Sequence, residues 1–252
     1  MSTTILHKAA TRGHADLGWL SSHQSFSFAG YYNPERIQFG VLRVLNDDVV
    51  AGGKGFGSHP HDNMEIISIP LEGSLVHEDN MGHREVVSAG EIQVMSTGSG
   101  VFHSEYNNDP LSPAKFLQIW LFPNRLNVTP RYDQIKLDPS KEENALEQLI
   151  SPRSDMDGRG DAVKGGEGTW LYQDAWFFKG RFDEGRAIDY DRKRKENGVY
   201  FFVIKGAFMV NGERLESRDG MGVTDMDAIG VSSLEPGSEI LIMDIPMQNK
   251  IV

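Results

Sequence analysis

His59 and His61 are separated by one proline in the segment Gly53-Lys54-Gly55-Phe56-Gly57-Ser58-His59-Pro60-His61. Residues i and i+2 of an extended strand project from one face, so the two imidazoles can aim at one point without a bend in the backbone. Pro60 cannot donate to a strand ladder, which suits a strand start or a sheet edge. The same spacing returns about 40 residues later in Val101-Phe102-His103-Ser104-Glu105, this time pairing an imidazole with a carboxylate. Were the two strands neighbours, the four side chains would form a site of three nitrogens and one oxygen. The chain has no Cys, so thiolate ligands, thiol nucleophiles and disulfides are excluded. A nitrogen-and-oxygen set of this kind suits Fe(II), Mn(II), Co(II), Ni(II), Cu(II) or Zn(II), and a six-coordinate ion would keep two positions for water, dioxygen or a chelating substrate.

The histidines are distributed unevenly. All eight lie in the first 103 residues, an outcome that random placement over 252 residues gives about once in a thousand trials, so imidazole chemistry belongs to the N-terminal half. His77 and His83 flank the turn Asn80-Met81-Gly82 and read as hairpin-tip or supporting residues. His14 and His23 lie in an N-terminal arm, where a hydrogen bond fastening the arm is the plain reading, and His7 carries no signal. Trp120, Phe56, Phe102 and Met95 are candidates either for the core or for an apolar pocket lining.

Short apolar runs recur about every ten residues between Gly, Pro, Asn and Asp clusters, the rhythm of a β-sandwich or barrel. Strands are expected at 38–45, 64–71, 74–78, 84–87, 91–95, 101–106 and 115–122, with glycine-bearing turns at Glu72-Gly73, Ala89-Gly90 and Gly98-Ser99-Gly100. After Pro123 the chain becomes polar, and 151–168 reads as a charged, Gly-rich exposed loop. Its Asp155-Met156-Asp157-Gly158 and Asp161 fail the spacing of a calcium loop, and Arg159-Gly160-Asp161 is too short to carry meaning. A second β-rich stretch, 170–246, echoes the first: Ile69-Pro70-Leu71-Glu72-Gly73-Ser74 compares with Val203-Ile204-Lys205-Gly206-Ala207, and Ala89-Gly90 with Asp219-Gly220. Two barrels of similar topology are expected, one with histidines and one without.

Composition narrows the partners. The net charge of −11 opposes a direct nucleic-acid footprint. No apolar run reaches the ~20 residues that span a bilayer, and the first twenty residues lack a signal pattern, so a cytoplasmic protein without membrane contact is expected. The run Arg192-Lys193-Arg194-Lys195 reads as a solvated turn.

The glycine-marked His-x-His, the later Glu65, and the Gly98 to Glu105 segment together resemble the cupin motifs. More narrowly, the sequence resembles the pirin family, the bicupin branch that includes bacterial quercetin 2,3-dioxygenase-like proteins. Arg12-Gly13-His14-Ala15-Asp16, Ser25-Phe26-Ser27-Phe28-Ala29, Leu71-Glu72-Gly73, His77-Glu78-Asp79 and Gln118-Ile119-Trp120 carry that resemblance, which is specific from about Thr11 to Arg131 and loose beyond. It implies an all-β fold of two antiparallel β-barrel or jelly-roll domains in tandem, with a metal-binding cupin at 1–130 and a cupin-like domain without metal ligands at 131–252. It further implies His59, His61, His103 and Glu105 as ligands of one divalent ion in the first domain, with iron(II) the expected metal. Glu65 stands where many other cupins carry their carboxylate ligand and is expected not to ligate. Asp62-Asn63-Met64 departs from the family, since animal pirins carry a basic and a glycine residue there.

The activity implied is ring opening of a flavonol or related chelating phenolic by O2 with release of carbon monoxide, Glu105 accepting the phenolic proton. The alternative is a metal- or redox-sensing regulator that binds a protein partner without turnover. A metal-dependent isomerase is a third reading, because cupin ligand sets support many reactions.

Overall fold

The computed structural model describes residues 3–153 and 168–251. The aspartates and the tripeptide weighed above at 155–161 lie outside the described residues. Ser151 and Pro152, assigned above to the loop, instead close a strand.

Eleven strands precede residue 122 among the described residues: β1 (Thr3–His7), β2 (Gly13–Asp16), β3 (Leu20–Gln24), β4 (Leu42–Val50), β5 (Gly55–His61), β6 (Glu65–Glu72), β7 (Ser74–Asp79), β8 (Arg84–Ser88), β9 (Glu91–Ser96), β10 (Val101–Asn107) and β11 (Ala114–Leu121). Eleven more follow: β12 (Arg131–Lys136), β13 (Glu147–Pro152), β14 (Thr169–Leu171), β15 (Trp176–Phe182), β16 (Ala187–Asp191), β17 (Asn197–Lys205), β18 (Ala207–Val210), β19 (Glu213–Glu216), β20 (Gly220–Thr224), β21 (Ala228–Ser233) and β22 (Ser238–Pro246). Among the described residues one short α-helix, Pro139–Glu142, interrupts them, and no described helix is long and apolar enough to cross a membrane.

The strands form two copies of one plan, as the sequence echo implied. A seven-stranded sheet ordered β12-β9-β6-β11-β4-β3-β2 faces a four-stranded sheet ordered β5-β10-β7-β8, and β1-β20-β17-β22-β15-β13-β14 faces β16-β21-β18-β19 in the same way. The link between the sheets recurs too: Gly73 joins β6 to β7 and Gly206 joins β17 to β18, each at φ +73°, a value that glycine adopts without strain.

The copies exchange their edges. β1 pairs with β20, from Thr3 opposite Thr224 to His7 opposite Gly220, while β12 pairs with β9. By sheet membership, then, the expected division after residue 130 needs correction at both ends: 3–7 belong with the second barrel and 131–136 with the first. An antiparallel edge strand pairs with whichever open edge it reaches, and its sequence does not name that edge.

Period-two alternation decides what each barrel contains. On β11, Leu117, Ile119 and Leu121 enter a core with Phe177, Tyr200, Phe202, Leu241 and Met243, which joins the two large sheets face to face. Phe116 and Trp120 point the other way and pack inside the first barrel. The interior of the second barrel is mostly apolar: Phe178, Phe201, Phe208, Ile229 and Val231 lie in one cluster, and the buried Asp244 accepts hydrogen bonds from Tyr190 and Asn197. That of the first is mixed, and its polar residues are the site.

Candidate metal centre

Strand pairing assembles the predicted residues. β5 and β10 are antiparallel neighbours, with His59 opposite His103 and His61 opposite Val101. Ring centroids lie 4.8 Å apart for His59 and His61, 4.5 Å for His59 and His103, and 5.0 Å for His61 and His103. One nitrogen from each ring falls within 4.8 Å of the others. His59 Nδ1 donates to the Gly57 carbonyl at 2.7 Å, which fixes its tautomer and leaves Nε2 as a lone-pair donor. His61 Nε2 and both nitrogens of His103 are buried and have no hydrogen-bond partner. Burial, with the neighbouring imidazole of His59 adding to it, lowers the pKa of His61 to about 4 and that of His103 to about 3. Both rings are therefore neutral at physiological pH, which is the form that ligates metals.

Glu105 lies beyond an irregularity that shifts the β5–β10 register. It is buried, and burial raises its pKa. Its Oε2 accepts from Gln118 Nε2 at 2.9 Å, and its Oε1 lies 3.1 Å from the Ser68 hydroxyl. In ligand-atom distance Glu105 groups with His103 and His77, a second trio that shares His103 with the first. His77 is thus more central than its hairpin position indicates: it is fully buried opposite Glu105, and its Nε2 lies 3.1 Å from Asp79 Oδ2. Asp79 also accepts from His83 and from the backbone N–H groups of Met81 and His83.

Glu65 points away from this cluster. The alternation that turns Ser68 toward Glu105 turns Glu65 outward, where Ser96 Oγ donates to it at 2.7 Å. Asp62-Asn63-Met64 is likewise fastened away from the histidines: the Asn127 backbone N–H donates to Asn63 Oδ1 at 2.7 Å, and the Met64 N–H donates to Thr97 Oγ1.

The histidines open onto a cavity of about 490 Å³. Trp19, Phe28, Phe56 and Trp120 contribute aromatic faces; Phe102 is exposed on the far side of β10, and Met95 is core beside Ile66 and Val101. From the facing seven-stranded sheet, Ser22, Gln24, Asn46 and Asp48, all buried, also line it. Burial pushes the Asp48 carboxyl up to about 7. The sequence reading missed this wall, together with Ser68 and Gln118; its signal was the placement of polar residues at alternate positions of otherwise apolar strands.

The remaining histidines and the basic run have structural partners. His14 and His23 stack at 4.3 Å across the β2–β3 pair, and His14 Nε2 meets Ser21 Oγ at 3.1 Å, fastening the arm as expected. His7 is buried, with Nδ1 2.8 Å from the Tyr200 hydroxyl. Arg192 bonds Asp227, Arg194 bonds Asp174, and Lys193 lies over Phe178, so these cations are engaged rather than merely solvated.

Three converging imidazoles beside a carboxylate, with buried nitrogens that lack partners, fit a divalent transition metal. In the second barrel the topologically equivalent strands β16 and β21 place Tyr190 opposite Ile229 and Ile188 opposite Val231, a pairing with no imidazole.

Residues 6–121 match the pirin family model, and residues 162–245 match the model of the quercetinase C-terminal cupin domain. A protein of Escherichia coli named quercetin 2,3-dioxygenase is 39% identical over 241 residues, covering 96% of this chain and 98% of its own length. The chain belongs to the pirin family of cupins. Among solved structures, that of YhhW from Escherichia coli superposes with a TM-score of 0.87 at 37% identity, covering 97% of this chain and 98% of that one. A second structure, described as the bacterial pirin YhhW in complex with nickel(II), gives a TM-score of 0.86 at 36% identity, with 97% and 99% covered. The pirin fold accounts for both barrels, and the matched N-terminal segment contains all the histidines that converge.

Proposed function

We propose that this pirin is an iron(II)-dependent dioxygenase that opens the ring of a flavonol or a related chelating phenolic with O2. The coarser part of the reading, a divalent-metal oxidoreductase of the quercetin 2,3-dioxygenase type, follows from near-full-length similarity to the Escherichia coli protein of that name. The observation that carries the finer part is the trio His59, His61 and His103, whose inward nitrogens converge at one end of an aromatic cavity.

His59, His61, His103 and Glu105 are the residues we assign to hold the ion. When bound, it would supply a Lewis-acidic, redox-active seat for a phenolic oxygen and for dioxygen. The other tasks belong to the chain. Burial keeps His61 and His103 neutral and so free of competition from protons. Ser68 and Gln118 orient the Glu105 carboxylate, which accepts the proton leaving the phenolic hydroxyl. Trp120 and Phe56 bound the planar ring and exclude water. The test is anaerobic metal loading and metal analysis, followed by oxygen uptake and flavonol bleaching in air with His59→Ala as the blank. Oxygen uptake and bleaching that require His59 support the reading, and the absence of both overturns it.

A further inference from the structure

Seven of the eleven buried side-chain atoms without partners among the described residues line the cavity described above. Four belong to His61, His103 and Trp120. The other three, Gln24 Oε1, Asn46 Oδ1 and Asp48 Oδ1, are acceptors on the wall from the seven-stranded sheet, and no metal held by the histidines accounts for them.

The wall is two cross-strand pairs: Ser22 faces Asp48 and Gln24 faces Asn46 across the β3–β4 ladder. Its hydrogen bonds run in one direction. The Ser22 hydroxyl donates to Asp48, a contact that favours the carboxylate against the burial that raises its pKa. The Ser22 oxygen must then accept, and it does so from Gln24 Nε2 at 3.1 Å. That chain leaves Gln24 Oε1 and Asp48 Oδ1, like Asn46 Oδ1, as buried acceptors without partners on residues that line the cavity. All four residues are at least nine-tenths buried, so bulk solvent does not repay the cost.

We propose that Gln24, Asn46 and Asp48 form a specificity wall that reads O–H donors of an aromatic substrate other than the oxygens it would offer the metal. The wall begins beside the centre, since Asn46 is the ladder partner of Gln118, which bonds Glu105. The inference rests on the proposed function in that it places a chelating phenolic in this cavity; it adds which residues read the substrate's further hydroxyls. The ligand that completes the wall has an aromatic body, to match Trp19, Phe56 and Trp120, and hydroxyl donors besides its chelating oxygens.

The experiment compares quercetin, which carries several phenolic hydroxyls, with 3-hydroxyflavone, which keeps only the chelating one. Binding is measured by calorimetry on the metal-loaded protein under anaerobic conditions, so that turnover is not needed, and kcat/KM is measured separately in air. Wild type is expected to favour quercetin by ten- to a hundred-fold, the range for hydrogen bonds to charged or buried acceptors. Asp48→Asn keeps the shape but turns a donor group toward the cavity, and Gln24→Leu deletes the other free acceptor. Each is expected to reduce the quercetin preference at least about fivefold, read as the ratio of the two affinities in the same variant, so that any change common to both probes cancels. Far-ultraviolet dichroism and metal content report whether each variant folds. Equal binding of the two probes by wild type, or an unchanged preference in both folded variants, overturns the wall. If the binding preference is present but oxygen is not consumed, the dioxygenase reading fails and the wall stands.

Discussion

His59 stands directly opposite His103 in the β5–β10 ladder, with ring centroids 4.5 Å apart. Because His103 also belongs to the trio with His77 and Glu105, the structure offers two overlapping places for an ion. They differ in their free lone pairs: His77 already faces Asp79 and Gln93, whereas His61 Nε2 has no partner. The ion is therefore expected in the His59, His61, His103 trio. His103→Ala and His61→Ala should lower nickel(II) affinity by at least ~100-fold, and His77→Ala, which removes a supporting contact, by about tenfold or less. Calorimetric titration of the metal-free protein decides it. A larger loss in His77→Ala than in His61→Ala would place the ion in the trio of His77, His103 and Glu105.

Protonation predicts how metal uptake depends on pH. His61 at about 4 and His103 at about 3 carry no proton at pH 6 and release none on binding. Glu105 is shifted the other way by burial, toward the neutral acid, so ligation by its carboxylate requires proton loss. At pH 6, titrations in buffers of different ionisation enthalpy should show that wild type releases up to one proton more per metal than Glu105→Gln. Because burial raises the Glu105 pKa, the difference should grow as pH falls from 6 toward 4, and equal release from the two proteins throughout that range would remove Glu105 from the ligand set.

The strand that bears the cavity wall shows where sequence reading stops. The strand expected over 38–45 instead starts at Leu42 and runs on through Asn46-Asp47-Asp48, residue types that suit a turn. It continues to Val50, since each polar side chain has a place: Asn46 and Asp48 face the cavity, and Asp47 lies between Arg12 and Arg218 on the other side. The alternation of polar residues on β3 and β4 was the available signal, but alternation alone does not say whether that face meets solvent or a cavity. The His-x-His and His-x-Glu pairs were legible because strand periodicity alone sets their facing, and the tandem barrels were legible because the hairpin echo is local. The exchange of β1 and β12 was not, because either edge accepts either strand.

Glu65 supplies a prediction about stability. Burial raises its pKa to about 8, against about 4.5 for an unperturbed side chain, with hydrogen bonds from Ser96 and the Tyr172 backbone opposing the shift. The native state thus holds a proton that the unfolded chain gives up above about pH 4.5. Stability from this group is fully present below that pH and is lost as pH rises through about 8. Glu65→Gln, which resembles the protonated side chain, should remove this loss and stabilise the metal-free protein at pH 7 by up to ~3 kcal/mol, with little effect at pH 4 to 5. Urea unfolding across that range is the measurement. A variant destabilised equally at both ends would show that Glu65 is ionised in the native state.

Phe39 and Gly222 test the contact between the barrels. Phe39 comes from the N-terminal half and lies in the core between the large sheets, with its ring over the second barrel's β20. A Cβ at Gly222 would fall 2.4 Å from that ring, and one at Gly198, on the adjacent β17, would fall 2.8 Å from it. The two glycines thus make the slot that the ring fills. Gly222→Ala should cost about 1–3 kcal/mol by overpacking, whereas Gly230→Ala, where the nearest atom is a flexible Asp189 oxygen at 3.8 Å, lacks that clash. Phe39→Leu in the Gly222→Ala background should recover part of the loss, giving a coupling energy of at least ~0.5 kcal/mol in a double-mutant cycle. Metal affinity should stay within about twofold throughout, because the slot lies on the opposite face of the large sheet from the histidines. Additive losses would mean that the glycines are required by the second barrel alone, and a fall in metal affinity would mean that interface strain reaches the metal centre.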